Sequence, residues 1–495
     1  MALLAEALGL RGDGVERFHR LARNTAAAPS PTDADPPLGE APDTARRRPV
    51  SAAPIGRAGL IDHVSAALLD VPAITGGPRL VVLAGGPGSG KTAVATHVAA
   101  HLRDHFPDGQ YYVDAADADP ELLVDRVSRS FGIEPACGPA TFEDRAMRLR
   151  AVLRDRRALL VLDNVFDEAQ LRPLLAADDD AACAIIAVSW RRLSAIVGVR
   201  TIPVPPLDPG SAADLFIAAG RRPVNAGDRD TIAWLTLQCD HLPLAVWIAG
   251  TKAADRPHIS LQRQAERLRQ PASRLNRLVV GDRSVRASFG NYYRRLDPPQ
   301  QRAFRLMGTV DVPSFPAWAA AATLDVPLDE AEELLDRLVE TNLFEVAGTD
   351  ETGTVRYRLP SLLRAFAQEV SQHDDSAKAR RSALRRAVTA WYVLSEIAER
   401  ALSGSVPRPA IPIRLGGHWA VTDLVQGDPT AWLRSERQAL SMVLRQAGRA
   451  GIAMRDSDTP PAGRHVRTGQ HDDHVNGHTN GHANGRVNGH RRAHG

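Results

Sequence analysis

An apolar run, Arg79–Ala84 (RLVVLA), passes directly into GGPGSGKT, Gly85–Thr92, and from there into an amphipathic segment that reaches His105. The eight residues fit G-x-x-x-x-G-K-[ST] at Gly85, Gly90, Lys91 and Thr92. No other feature restricts the fold as much, because the pattern works only as a loop between a strand and the helix it opens. Gly85, Gly86, Gly88 and Gly90 let the backbone turn sharply and aim its N–H groups at phosphate oxygens. Pro87, Ser89 and Ala93 complete the loop and the first helical turn, whose positive dipole end adds to the attraction. Lys91 can reach the outer phosphates as a point charge, and Thr92 can offer its hydroxyl to Mg²⁺. The implied ligand is a purine nucleoside triphosphate or diphosphate, ATP or ADP. The bland alternative is a glycine-rich turn that binds nothing, but strand, turn, lysine and helix all agree against it. Lysine is also scarce here. Of 61 basic residues only Lys91, Lys252 and Lys378 are lysines, so one at this position is a choice against the local habit.

A second apolar run, RALLVLDNV at 157–165, ends in Asp163. A carboxylate at that place can hold Mg²⁺ together with Thr92, as on a Walker B strand, or can simply end a strand. Lys91 and Asp163 are the candidate catalytic residues, and Thr92 and Asp163 the candidate metal ligands. The next residue is Asn164, whose amide can bond a water but cannot accept its proton. Fast hydrolysis is not expected.

Four short apolar runs, 79–84, 110–113, 158–162 and 184–188, alternate with amphipathic helical segments. That alternation predicts an α/β domain over 54–206, a parallel sheet with helices on both faces. Beyond Pro206 helical patterns dominate, with one β-like patch at Val355–Leu359. Residues 1–23 read as helical. Residues 24–53 are rich in Pro, Ala, Asp and Ser and read as a disordered linker. The segment 451–495, with its repeated Asn-Gly-His steps, reads as a disordered tail.

Net charge is +3 with both signs interspersed, which implies no broad field for nucleic acid. Cys137, Cys183 and Cys239 stand far apart, with no CxxC and no metal spacing, and read as buried thiols of a cytoplasmic protein. No apolar run reaches about 18 residues, so no membrane helix is expected, and the N-terminus lacks a signal-peptide layout.

The order of motifs over 54–450 resembles the NB-ARC-type STAND ATPases, nucleotide switches of apoptosome scaffolds, plant resistance proteins and many bacterial regulators. Ile55-Gly56-Arg57 is similar to the family's VGR motif, which implies that Arg57 lies near the adenine. The phosphate loop, FPDGQYYVD (Phe106–Asp114), the Asp163 strand and VPPLDPGSAADLF (Val204–Phe216) follow in order. His241-Leu242-Pro243-Leu244 resembles the GLPL motif, which implies that Pro243 contacts the base. SVRASFGNYYRRLDPPQQRAFRLMG (Ser284–Gly308) resembles the start of a winged-helix module. The resemblance thus divides the chain into a nucleotide-binding domain (54–206), a helical domain (207–282), a winged-helix-like domain (283–370) and C-terminal helices (371–450).

Three positions depart from the family pattern. Trp190 stands where the family carries an arginine that senses the outer phosphate, and Arg191 is shifted by one residue, which on a strand end turns it away. His241 replaces the GLPL glycine. Leu359-Pro360-Ser361 replaces the family's Met-His-Asp. The resemblance therefore implies an ATP- or ADP-binding regulatory protein, a switch in transcriptional or signalling control with slow or impaired hydrolysis. An interaction scaffold with a vestigial site is the alternative, and a productive ATPase ranks below both. Expected partners are a purine nucleotide and other protein subunits through self-association. DNA is expected only indirectly, or through a missing N-terminal domain. The segment Leu328–Phe344 is acidic, wrong for a helix that faces phosphates. Residues 1–23 look like the end of a helix-turn-helix domain, or like an unrelated hairpin. Residues 429–447 resemble a lead into tetratricopeptide repeats, yet no repeat of about 34 residues follows. Seven histidines between His465 and His494 could gather a metal weakly or simply solvate the tail.

Overall fold

The computed structural model describes residues 53–70, 78–133, 140–175, 182–221, 225–404, 421 and 425–452. The expected helical segment 1–23, the linker up to 52, Cys137 and the tail from 453 lie outside the described residues. The chain divides into two units, one ending at Leu215 and the other beginning at Phe216.

The first unit is built on five strands, β1 (Arg79–Ala84), β2 (Gln110–Asp114), β3 (Leu159–Val165), β4 (Ala184–Ser189) and β5 (Arg200–Pro203), in the order β2-β3-β4-β1-β5. All four pairings are parallel. Helix α1 (Ala58–Asp70) precedes β1, α2 (Lys91–His101) follows it, and α3 (Pro120–Ser130) and α4 (Phe142–Asp155) lie between β2 and β3. A four-residue α5 (Glu168–Leu171) follows β3.

Alternation along the strands explains why both faces are covered. Val82, Leu160, Leu162, Ile185 and Ala187 point to one face and pack with Leu123, Val127, Leu149 and Leu153 of α3 and α4. Val81, Leu83, Val161, Ile186 and Val188 point to the other, against Val64 and Leu68 of α1 and Val94 and Val98 of α2. Each such Val, Leu or Ile side chain contributes about 1.5–3 kcal/mol on full burial, which is why these strands read as continuous apolar runs. Local signals fix the helix starts. Asp119 caps α3 through Leu122 N at 2.7 Å, with Pro120 in its first turn. Thr141 and Asp144 form a reciprocal capping box at α4.

Three sequence expectations need correction here. β5 was not anticipated, because four residues with one buried side chain carry little periodic signal. The helix after the phosphate loop ends at His101 rather than His105, with a 3₁₀ turn at Arg103–His105. β3 does not end at Asp163. It continues to Val165 through a register shift, with Asn164 in the left-handed region at φ 61°.

Helix α6 (Pro209–Gly220) leads into the second unit, which is mainly helical. It contains α7 (Arg229–Gln238), α8 (Pro243–Asp255), α9 (Leu261–Leu268), α10 (Pro271–Arg277) and a two-residue ribbon, β6 (Val279–Val280) with β7 (Arg283–Ser284). Then come α11 (Val285–Tyr293), α12 (Pro298–Met307), β8 (Phe315–Pro316), α13 (Ala317–Leu324) and α14 (Leu328–Glu340). Next are β9 (Glu345–Thr349), β10 (Val355–Arg358), α15 (Ser361–Asp374), α16 (Ala377–Leu402) and α17 (Pro429–Arg449). The patch expected at Val355–Leu359 is thus the middle strand of an antiparallel sheet, β8-β10-β9. Its two partners were missed: β8 is only two residues long, and β9 is largely solvent-facing and so shows no apolar alternation. The acidic helix stops at Glu340, short of Phe344.

Candidate phosphate-binding site

The loop between β1 and α2 leaves the sheet at its carboxyl edge, where the strands of open parallel sheets present their ligands. Gly88 and Gly90 sit at φ 78° and 89°, conformations that cost a side-chain-bearing residue about 1–2 kcal/mol. Gly85 is required for a different reason, since a Cβ there would lie 2.6 Å from the Val204 carbonyl oxygen. Gly90 caps α2 with no side-chain bond to its first turn. Pro87 and Ser89 are buried, Gly86 is half-buried, and Ala93 is exposed on the helix.

Lys91, 6% exposed, curls back so that Nζ donates to the carbonyls of Gly85 at 2.9 Å and Gly86 at 2.8 Å. The ammonium is thereby folded back onto carbonyls of the loop itself. Thr92 Oγ1 donates to Asp163 Oδ1 at 3.0 Å, so the two expected metal ligands are already side by side. The Ser89 hydroxyl is buried with no hydrogen-bond partner among the described residues. A buried hydroxyl, a glycine cradle too narrow for a Cβ and a Thr–Asp oxygen pair fit a phosphate group with a hard divalent cation. Among the described residues no cluster of three His, Cys, Asp or Glu side chains could hold a metal by itself.

Arg57 is drawn to the same loop. Its Nη2 donates to the Ser89 carbonyl at 3.1 Å and to the Pro205 carbonyl, so it braces the loop from behind. Burial lowers its pKa from the ordinary guanidinium value, with Asp208 opposing. Gly56 before it lies at φ 69°, and a Cβ there would collide with Ser211.

At the carboxyl ends of the other strands the structure adds one residue that the sequence reading passed over, Asp114, and places Asn164, Trp190 and Arg191. Asp114 lies opposite Asp163 in the β2–β3 register. Asn164 Nδ2 donates to Asp114 Oδ1 at 2.9 Å, and Asn164 N to Asp163 Oδ1 at 3.0 Å. The available signal was a strand-terminal aspartate in FPDGQYYVD, which a parallel sheet brings to its carboxyl edge. Trp190 follows β4, buried and stacked on Phe166 with ring centroids 5.4 Å apart. Arg191 N donates to Ser189 Oγ at 3.1 Å.

Pro243 belongs to the second unit, where it occupies the first turn of α8. The two residues before Leu242, Asp240 and His241, both lie in the left-handed region, at φ 50° and 49°. A glycine in the GLPL pattern fits such a backbone, and His241 adopts it at a cost. The Asp240 carboxylate caps α15, accepting from Ser361 Oγ and Leu362 N, each at 2.7 Å. Arg274 Nη1 donates to the same Ser361 hydroxyl at 3.1 Å. Pro360 and Ser361, which supply neither imidazole nor carboxylate, thus have a carboxylate provided by a distant turn. Cys183 and Cys239 are buried reduced thiols, as expected, and burial pushes each up to about 12.

Residues 59–195 match the NB-ARC domain family. The chain is 34% identical over 390 residues to the regulatory protein AfsR of Streptomyces griseus, covering 76% of this chain and 38% of that protein. It is 33% identical over 409 residues to AfsR of Streptomyces coelicolor, covering 80% and 40%. The chain therefore spans about 40% of the length of these curated relatives. A solved STAND protein with a tetratricopeptide repeat sensor, from Pyrococcus horikoshii, aligns at a TM-score of 0.29 and 13% identity, over 81% of this chain and 59% of that one. No described helix is long and apolar enough to cross a membrane.

Proposed function

Since the chain is an NB-ARC-type STAND protein related to the AfsR regulators, we propose that it binds ATP or ADP with Mg²⁺ as a cytoplasmic switch in transcriptional or signalling control. The observation that carries this reading is the Lys91 ammonium folded onto carbonyls of a glycine cradle, beside the Thr92–Asp163 pair. In this reading Gly85 to Ala93 and Lys91 hold the phosphates, Thr92 and Asp163 hold the cation, and Arg57 keeps the loop in shape. Pro243 is assigned to the base by its place in the motif order. Bound Mg²⁺ would neutralise phosphate charge. The protein's own part is to orient the phosphates and exclude water around them.

Hydrolysis is slow in this reading. Asn164 beside Asp163 cannot take a proton, and Trp190 is stacked on Phe166 where an arginine would sense the terminal phosphate. The partners proposed are nucleotide and further copies of the chain, with DNA reached indirectly. Purified wild-type protein should retain ADP through gel filtration, and Lys91→Ala should lose it. A wild-type protein that carries no nucleotide and shows no affinity for any overturns the reading.

The second reading is a scaffold whose nucleotide site no longer reports. It is favoured by Asp240 having taken over the cap at Pro360-Ser361, so that the Ser361 hydroxyl and Leu362 N are already engaged by a carboxylate. It expects bound nucleotide without response. Limited proteolysis that differs between ATP and ADP would count against it.

A further inference from the structure

The bulge in β3 has a chemical consequence. In an undistorted strand Asn164 would point to the face opposite Asp163. At φ 61° the chain instead swings the Asn164 amide toward β2, where Nδ2 donates to Asp114 Oδ1 at 2.9 Å. Asp114 is held from several sides. Ala116 N donates to the same Oδ1 at 3.0 Å, and Ala115 N donates to the Asp163 carbonyl at 2.8 Å. Arg126 Nη1 donates to the carbonyls of Asp114 and Ala116 at 2.7 and 3.0 Å. Both bonds to the carboxylate fall on Oδ1, and Oδ2 accepts none among the described residues. The side chain is exposed at the carboxyl edge of the sheet, one strand from Asp163. Asn164 donates through Nδ2, so its Oδ1 is turned to accept.

We propose that Asp114, held by Asn164 on the neighbouring strand, is the proton acceptor for the water that attacks the terminal phosphate of a nucleoside triphosphate bound at the loop. This rests on the nucleotide reading above. Asn164 Oδ1 accepts one hydrogen of the water and orients it, and Asp114 Oδ2 accepts the other. The water oxygen forms the new bond to the terminal phosphorus. The bond from that phosphorus to the bridging oxygen breaks, its electron pair leaves with the nucleoside diphosphate, and the proton passes to the Asp114 carboxylate. The carboxylate that β3 lacks after Asp163 is thus supplied across the strand pairing, with the amide and the acid exchanging strands.

The test uses the full chain in single-turnover reactions with ATP and Mg²⁺, together with the identity of the nucleotide that copurifies. Asp114→Asn keeps the shape and should slow hydrolysis about 100-fold, the lower end of the usual general-base contribution. ATP affinity should stay unchanged, and the copurifying nucleotide should shift from ADP to ATP. The exchanged pair, Asp114→Asn with Asn164→Asp, should regain most of the rate, which a merely structural role would not give. Hydrolysis by Asp114→Asn at the wild-type rate overturns the proposal, as does a wild type that binds ATP and never hydrolyses it. An exchanged pair as slow as the single variant also overturns it. Absence of nucleotide binding in the wild type is a different result, and it removes the reading under Proposed function instead.

Discussion

At the scale of single residues, the phosphate loop is governed by what glycine alone can do. Gly88 and Gly90 need positive φ, and Gly85 needs the absence of a Cβ. Gly90→Ala should therefore lower unfolding stability by about 1–2 kcal/mol and weaken ADP binding, as read from urea midpoints with and without ADP. Gly85→Ala should be worse, since the clashing atom is the Val204 carbonyl oxygen and backbone cannot rotate away. A Gly85→Ala protein with wild-type stability and affinity would mean the loop has slack that the structure does not show. Much of this site was legible from residue types, since Gly85, Gly90, Lys91 and Thr92 follow a fixed spacing and Asp163 follows an apolar run. The role of Arg57 as a brace was not, because Ser89 and Pro205 meet it only after the chain folds.

At the scale of elements, two polar clusters hold helices of the second unit in place. Asp240 caps α15 from the turn between α7 and α8. Asp240→Ala should cost about 0.5–2 kcal/mol and raise amide exchange at Ser361–Arg364. Burial raises the Asp240 carboxyl, while Leu362 N, Ser361 and the charge of Arg274 oppose it and the nearby Glu345 adds to it. The folded chain thus holds that proton more tightly than the unfolded chain does. The contribution of Asp240 to stability therefore falls as pH rises from the ordinary value of about 3.9 through the raised one. Asp240→Asn removes this slope, so its stability relative to wild type should improve with rising pH across that window. Urea midpoints of both proteins at several pH values test it, and parallel curves would refute it. The second cluster is Glu436 of α17, 1% exposed, which accepts from Arg356 of β10 and from Trp391 Nε1 of α16 at 2.8 Å. Glu436→Ala leaves Arg356 with the more distant Asp350 carboxylate, at 3.5 Å, and leaves Trp391 Nε1 without this acceptor, and should cost about 1–3 kcal/mol. The emission of the packed Trp318, Trp391 and Trp432 rings should shift with it.

At the scale of the whole molecule, the candidate site lies in the first unit, so nucleotide should first stabilise that unit. A ligand at 100 times its Kd adds about 2.7 kcal/mol to the state that binds it. Differential scanning calorimetry with ADP and Mg²⁺ should show an upward shift that Lys91→Ala abolishes. An equal shift in the variant would place the nucleotide elsewhere. Whether transitions of the second unit move as well separates the switch reading from the scaffold reading, because coupling requires that both units respond.

By itself the sequence determined the α/β class, four of the five sheet strands and the phosphate loop. Those features depend on local spacing: alternating apolar residues, glycines at fixed intervals, a lysine and a hydroxyl at a helix start. It left β5 and two strands of the small sheet unread, because short or solvent-facing strands carry too few buried side chains to show a period. Only the tertiary structure decided the long-range pairings. Asp114 meets Asn164 across a strand register and a bulge, and Asp240 reaches a helix that begins 121 positions later. Such contacts are set by how strands align and helices pack, and no local pattern of residues encodes them.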